Sequence, residues 1–262
     1  MNAAAKANDW SPNLYALFED ERTLPVYDLL SRVPAYVRPR VVDLGCGPGN
    51  STEALANRFP DAELLGLDNS PAMIDAARKR LPNVSFALAD LNDWNAPGPF
   101  DLIFSNATLH WLPDHLRLMV GWLDRLAKGG CLAAQMPDNL DQPSHVLMRE
   151  VAERPLYRER LAKASQARAK IGSFAEYYDA LIAKASRVDV WRTTYVHALK
   201  GAGAIVDWVK ATGLRPFLEP LTEEERESYA RDYRAAIAEA YPTRADGRSL
   251  LPFPRIFIVA RL

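Results

Sequence analysis

Three aspartates and three closely spaced glycines carry the chemistry this sequence can do. Asp43 closes the apolar run Val41-Val42 and leads into the turn Leu44-Gly45-Cys46-Gly47-Pro48-Gly49-Asn50; Asp68 closes a second apolar run and Asp90 a third. Glycines at alternate positions suit a turn pressed against a ligand, where a side chain would block the approach or demand a positive φ. A carboxylate about twenty residues past such a turn can accept hydrogen bonds from both vicinal hydroxyls of a ribose, and Asp68, followed by Asn69, stands there. Its alternative use as a helix cap is weakened by Ser70, which fills that post before Pro71. Asp90 can accept an adenine amino hydrogen while Leu91 covers the ring. Met73 can pack against the same ring or serve as an ordinary core methionine.

These residues need strands whose carboxyl ends share one edge. The apolar runs predict a first strand at Val41–Leu44, then Ala62–Leu67, Val84–Ala89, Phe100–Ser105, Cys131–Met136, Val188–Val196 and Arg255–Ala260. Helical patterns lie between them. One follows Asn50 directly, with its free N–H groups turned back toward the glycines. Another runs from Asp114 to Leu126, with Gly129-Gly130 turning the chain into the fifth strand, and Thr222 followed by Glu223 to Glu225 reads as the first turn of a solvated helix. Ser11-Pro12 begins an N-terminal helical arm that either covers a sheet edge or closes the cleft through Tyr15, Phe18 and Arg22.

Composition narrows the partners. With 262 residues and a formal net charge of −1, the chain can bury a full core as one α/β domain and has no electrostatic footprint for a nucleic-acid backbone or an anionic membrane. No signal-peptide core or apolar span of membrane length is present, so a cytoplasmic protein acting on a small molecule is expected, and nothing calls for more than a monomer. Cys46 and Cys131 fall at opposite strand ends and should both be free thiols. A nicotinamide-binding G-x-G-x-x-G fingerprint would need glycine where Asn50 stands, which weakens a dehydrogenase reading without removing it.

The pattern Asp43-x-Gly45-x-Gly47-x-Gly49 resembles the first motif of the class I S-adenosylmethionine-dependent methyltransferases. That resemblance implies a Rossmann-like α/β sheet of about seven strands, mostly parallel with the last antiparallel, and helical insertions forming a lid. It divides the chain into an arm (1–36), a cofactor-binding core (37–136) and insertions (137–186 and 197–252) that form the acceptor pocket. It places Asp43 beside the amino end of the methionine moiety, and Asn50 beside the glycines. The segment Asn106-Ala107-Thr108-Leu109-His110-Trp111 passes beneath the sulfonium, whose charge suits the face of Trp111. A buried core tryptophan is the alternative. DNA and glutamine amino-methyltransferases carry two prolines and an aromatic after this Asn, so the chain resembles the small-molecule branch.

The insertions hold residues suited to anions and flat ligands: His145 and Arg149 four apart on one helix face, Tyr177-Tyr178, then Arg192, Thr193 and Tyr195. Strand alternation separates Arg192 with Thr194 from Thr193 with Tyr195. The segments Gln135–Asn139, His145–Val151, Asp189–Tyr195, Thr212–Pro216 and Phe253–Arg255 resemble methyltransferases that esterify trans-aconitate, as does the arm around Trp10, Tyr15 and Arg22. His110 departs from that pattern, where some members carry glutamine; both side chains can donate to a carboxylate. The resemblance implies methyl transfer to a carboxylate, with Tyr15, Arg22, His110, Trp111, Arg149, Tyr177, Tyr178, Arg192 and Tyr195 facing the acceptor. No acid/base residue and no metal is required, because a carboxylate with a pKa of about 4 is already a nucleophile. Esterification of another small acid, or a non-enzymatic cofactor sensor, are the competing readings.

Overall fold

The computed structural model describes residues 19–168, 170–210 and 212–262. Trp10, Tyr15 and Phe18 of the arm lie outside them. The elements in chain order are α1 (Glu19–Leu30), β1 (Arg40–Leu44), α2 (Asn50–Arg58), β2 (Glu63–Asp68), α3 (Pro71–Arg80), β3 (Ser85–Leu88), β4 (Phe100–Asn106), α4 (His115–Leu123) and β5 (Leu126–Pro137). They continue with α5 (Pro143–Ala152), α6 (Arg158–Leu161), α7 (Phe174–Ile182), β6 (Arg187–Leu199), α8 (Gly201–Lys210), α9 (Arg215–Leu218), α10 (Glu223–Ala240) and β7 (Ser249–Arg261).

Seven strands form one sheet in the order β3-β2-β1-β4-β5-β7-β6. The pairs β1–β2, β1–β4, β2–β3 and β4–β5 are parallel. β7 runs the other way: Leu262 N donates to Gly130 O at one end of β5 and Asp138 N to Pro254 O at the other. Because β1 lies inside the sheet, Val41, Val42, Asp43 and Leu44 are all buried whichever way they point. Both faces are covered, which is why the run reads as continuously apolar apart from its final acid.

The described residues divide into two compact units. One comprises the described residues up to Met136, with Ile171–Arg192 and Ile256–Leu262; the other Pro137–Lys170 and Thr193–Arg255. In the first, Leu118 and Trp122 of α4 and Tyr177 and Leu181 of α7 join Val42, Leu44 and Ile103 in the main core, and a smaller cluster of Cys46, Ile74, Ala77 and Phe86 seats α3. α7 therefore belongs with the sheet, although the sequence grouped it with the insertions. In the second, α10 lies against α5 and α8. Both cysteines are free and buried.

Local signals explain the helix starts. Ser70 Oγ accepts from Met73 N at 3.2 Å with Pro71 in the first turn, and reciprocal capping boxes pair Ser173 with Glu176 and Thr222 with Glu225. Strand β5 departs from expectation. It begins at Leu126, where a helix was predicted, because Phe100 pairs with Leu126 and Leu102 already with Cys131, so residues 127–130 bulge out of the ladder around Gly129. Strand β7 likewise continues back through Pro252 and Pro254, whose carbonyls can still accept. No helix among the described residues is long and apolar enough to cross a membrane.

Candidate active site

The glycine turn is held by the second strand. Gly45 N and Cys46 N donate to Leu67 O at 2.7 and 2.9 Å. Asp68 completes the clasp: Oδ2 accepts from Gly47 N and Oδ1 from Ser70 N, both at 2.9 Å. The glycines at 45 and 47 have different reasons to be glycine. Gly45 has φ +76, and a Cβ there would lie 2.2 Å from Thr108 of the same chain. Gly47 has φ +53 and open space where its Cβ would stand. Only Gly47 therefore fits the expectation of a surface left bare for a ligand; at Gly45 the chain itself is the obstacle.

Asp43 lies beneath this turn with no exposed surface. Its Oδ2 accepts from Ser51 Oγ and Thr52 Oγ1, each at 2.7 Å, while Oδ1 has no hydrogen-bond partner among the described residues. Burial pushes its carboxyl up to about 6, with the Thr52 and Ser51 hydrogen bonds pulling the other way. Asn50 Oδ1, at the first residue of α2, is also buried without a described partner. Two orphaned acceptor oxygens thus stand beside the turn, a state that costs about 1–3 kcal/mol per group unless a donor arrives.

The loop after β4 forms another wall. Ala107 has φ +54, unusual for a residue with a Cβ, and its N–H donates to Gln135 O at 2.9 Å. Gln135 Nε2 donates to Asn106 Oδ1. Thr108 Oγ1 lies 3.1 Å from both Gly45 O and Asn106 O, fastening this loop to the glycine turn. Ser51 and Thr52 hold Asp43, and Thr108 and Gln135 hold this loop; the sequence gives Ser51 and Thr52 no role, and carries Thr108 and Gln135 only as members of longer matching segments. For Ser51 and Thr52 the one signal was position, directly after Asn50.

The remaining cofactor candidates separate by exposure. Asp90 and Asn69 are exposed; Asp90 Oδ1 accepts from Asn92 N and Nδ2 at 2.9 Å, and Ala89 N donates to Asp68 O at 2.9 Å, tying the two strand ends together. Leu91 and Met73 are 5% and 3% exposed. Leu91 packs in the main core, and Met73 is buried in the first turn of α3.

The acceptor candidates are divided between the two units. His110 and Trp111 sit on a short 3-10 turn, Leu109–Trp111, with ring centroids 5.0 Å apart. Arg22 is half-buried on α1. Tyr177 requires correction: it is fully buried, and its hydroxyl is committed within the core, donating to His115 Nε2 at 2.6 Å and accepting from Gly172 N at 3.3 Å. His115 Nδ1 in turn donates to Leu112 O at 2.9 Å, so the pair braces the turn carrying His110 and Trp111. Burial lowers the His115 pKa, keeping the ring neutral. Tyr178 is 45% exposed and lines a groove of about 530 Å³ in the first unit with Arg32, Phe174, Asp189 and Trp191. Arg192 is exposed with its guanidinium 5.0 Å from the Phe174 ring. Arg149 and Tyr195 belong to the second unit, where Arg149 Nη2 donates to Leu140 O at 2.8 Å and Tyr195 stacks on His197 with centroids 6.3 Å apart.

Residues 41–130 match the family of methyltransferase domains. The whole chain is similar to a trans-aconitate 2-methyltransferase of Methylobacterium nodulans, 57% identical over 97% of this chain and 98% of that one. A trans-aconitate 2-methyltransferase of Yersinia pseudotuberculosis is 54% identical over 96% and 98%. Among solved structures, the YcgJ protein of Bacillus subtilis superposes with a TM-score of 0.60 over 90% of this chain and 97% of that chain at 15% identity. Phosphoethanolamine N-methyltransferase 2 of Haemonchus contortus, solved with S-adenosylhomocysteine, gives 0.55 over 90% and 52% at 15% identity; both likenesses speak to the fold.

Proposed function

The chain belongs to the trans-aconitate 2-methyltransferase family, and on that premise we propose that it transfers a methyl group from S-adenosylmethionine to one carboxylate of trans-aconitate, yielding the monomethyl ester and S-adenosylhomocysteine. The observation that best supports a cofactor here is the pair of buried, partnerless oxygens, Asp43 Oδ1 and Asn50 Oδ1, beside a turn left open at Gly47. Oxygens with no donor suit a ligand that brings N–H groups, as the amino group of a methionine moiety does.

Asp43, Gly47 and Asn50 would hold that amino-acid end, Asp68 the ribose hydroxyls, and Asp90 with Asn69 the adenine side. The exposed positions of Asp90 and Asn69 are compatible with this. Bound S-adenosylmethionine supplies an electrophilic methyl group on a positively charged sulfur. Trp111 and His110, braced by His115 and Tyr177, would present an aromatic face and a hydrogen-bond donor on the acceptor side.

The protein needs no general base, since the acceptor carboxylate is ionised above a pKa of about 4. Its work is placement. Holding a carboxylate oxygen about 3–3.5 Å from the methyl carbon, in line with its leaving sulfur, can supply ~7–11 kcal/mol of the barrier. A methyl-transfer assay with labelled cofactor against trans-aconitate, cis-aconitate, citrate and several monocarboxylates tests the assignment. Preferential labelling of trans-aconitate is expected; preference for another acid by an order of magnitude in kcat/KM would reject it.

A further inference from the structure

Resting on the reading that S-adenosylmethionine is the cofactor, we propose that Ser51 and Thr52 are positioning residues that make cofactor uptake release a proton. Together they fill Asp43 Oδ2 and leave Oδ1 both as the one acceptor for the cofactor's amino end and as the one seat for a proton. All of these residues lie in the first unit.

Both hydroxyls come from the first turn of α2 and reach the same oxygen: Ser51 Oγ and Thr52 Oγ1 each lie 2.7 Å from Asp43 Oδ2. Ser51 is 3% exposed, and Thr52 and Asp43 have no exposed surface, so bulk water does not compete for these bonds. A hydroxyl carries one hydrogen and an ionised carboxylate only accepts, so both hydrogens point at Oδ2. The carboxylate is thereby fixed in rotation, with Oδ1 left without a described partner. The acid form keeps both hydroxyl bonds only with its proton on Oδ1. That proton turns the one open acceptor into a donor, which meets an ammonium group with like polarity. Asp43 therefore gives the proton up to solvent as it takes the amino end of the cofactor, an ammonium below about pH 7.7. No bond other than this O–H is broken.

The surroundings set how readily the proton leaves. Beside Asp43 in the sheet stand Gly66 of β2 and Phe104 of β4, neither of which titrates. Asp68, at the end of β2, adds a negative charge that favours the proton, and burial, with the two aspartates, keeps the Cys46 thiol in the turn protonated. On α2, Glu53 is paired with Arg80 at 2.7 Å. At the far end of β1, Asp101 of β4 accepts from Arg40 N at 2.8 Å. Burial is the largest influence and raises the Asp43 carboxyl to about 6; the Thr52 and Ser51 hydrogen bonds oppose it. Loss of either bond should move the release upward by about one pH unit, the equivalent of one charge-assisted hydrogen bond.

The test measures S-adenosylhomocysteine binding to the full-length enzyme by calorimetry at about pH 5.5 and pH 7, each in two buffers of different ionisation enthalpy, so that released protons are counted. With a midpoint of about 6, wild type should release about 0.7 proton per ligand at the lower pH and about 0.1 at the higher, and bind roughly fourfold more weakly at the lower. Ser51→Ala and Thr52→Val should bind about eightfold more weakly than wild type at the lower pH but only about twofold at the higher. Ser51→Thr and Thr52→Ser keep a hydroxyl and should follow wild type. Asp43→Asn should lose the proton release; release that persists in it belongs to another group and overturns the proposal. Weakening by the same factor at both pH values, or no weakening, in Ser51→Ala and Thr52→Val makes the hydroxyls packing groups only and also overturns it. If Thr52→Val does not fold, Ser51→Ala and Ser51→Thr are judged by the same criterion. Wild-type binding without proton release overturns the coupling alone, whereas no binding heat at either pH overturns the cofactor reading and the coupling together.

Discussion

Thr108 occupies the space that a side chain on Gly45 would need: a Cβ at position 45 would lie 2.2 Å from both the methyl and the hydroxyl of Thr108. The same hydroxyl lies 3.1 Å from Gly45 O, so one residue both excludes a side chain from the turn and fastens it to the loop after β4. Gly45 is thus fixed by packing between two strand ends, and Gly47 by the open side of the turn.

The two glycines should respond differently to alanine. Gly45→Ala meets a backbone with positive φ and a collision, so thermal or denaturant unfolding should show a loss of at least about 2–3 kcal/mol. Gly47→Ala meets only the backbone strain, about 1 kcal/mol, but should weaken S-adenosylhomocysteine binding measured by calorimetry. Equal stability losses in the two variants would contradict this division.

Ala107 offers the reverse experiment. Its φ of +54 is relieved by glycine, and Ala107→Gly should be neutral or stabilising by up to about 1 kcal/mol, whereas Ala107→Val should destabilise. Melting temperatures of the three proteins check the order.

Asp43 gives a pH dependence of unusual sign for a carboxylate. Its folded pKa, about 6, lies above the ordinary aspartate value of 3.8, so the folded state holds the proton more tightly than the unfolded one. Its contribution to stability is full below the lower value and is lost as pH rises through the upper one, a change of the order of 3 kcal/mol. Asp43→Asn should abolish this component, flattening the fall in stability between pH 4 and 6 in urea titrations; an unaltered pH profile would refute the assignment. Cofactor binding should fall in the same variant, because the amide replaces a negative charge.

The histidines act in the opposite sense. His115 and His145 both have lowered folded pKa values, chiefly from burial, so their contribution is present above the unfolded value of 6.5 and is lost as pH falls, for His145 down to about 3. Tyr177→Phe leaves His115 Nε2 buried without its donor and should cost about 1–3 kcal/mol of stability. Since Tyr177 is a core residue, KM for the acceptor should change little after correction for the folded fraction. A large KM increase with unchanged stability would return Tyr177 to the acceptor pocket.

The linear sequence determined the parts of this protein that depend on neighbours along the chain. The apolar runs gave the strands, the Ser70-Pro71 and Thr222-Glu225 signals gave two helix starts, and the acid-x-G-x-G-x-G spacing gave the turn, because strand period, capping and positive φ are set within a few residues. The methyltransferase character was legible there too, carried by the Asp43–Asn50 motif and the later matching segments. What only tertiary structure decided were relationships between residues distant in sequence. It set Thr108 against Gly45, put Ser51 and Thr52 on Asp43, sank Tyr177 onto His115 in the core, and set Arg168 against His145 and Asn139. A tyrosine or an arginine reads the same in a sequence whether its polar end meets solvent, a ligand or a buried histidine. Packing settles which, because each buried polar group must find its partner wherever the chain brings one.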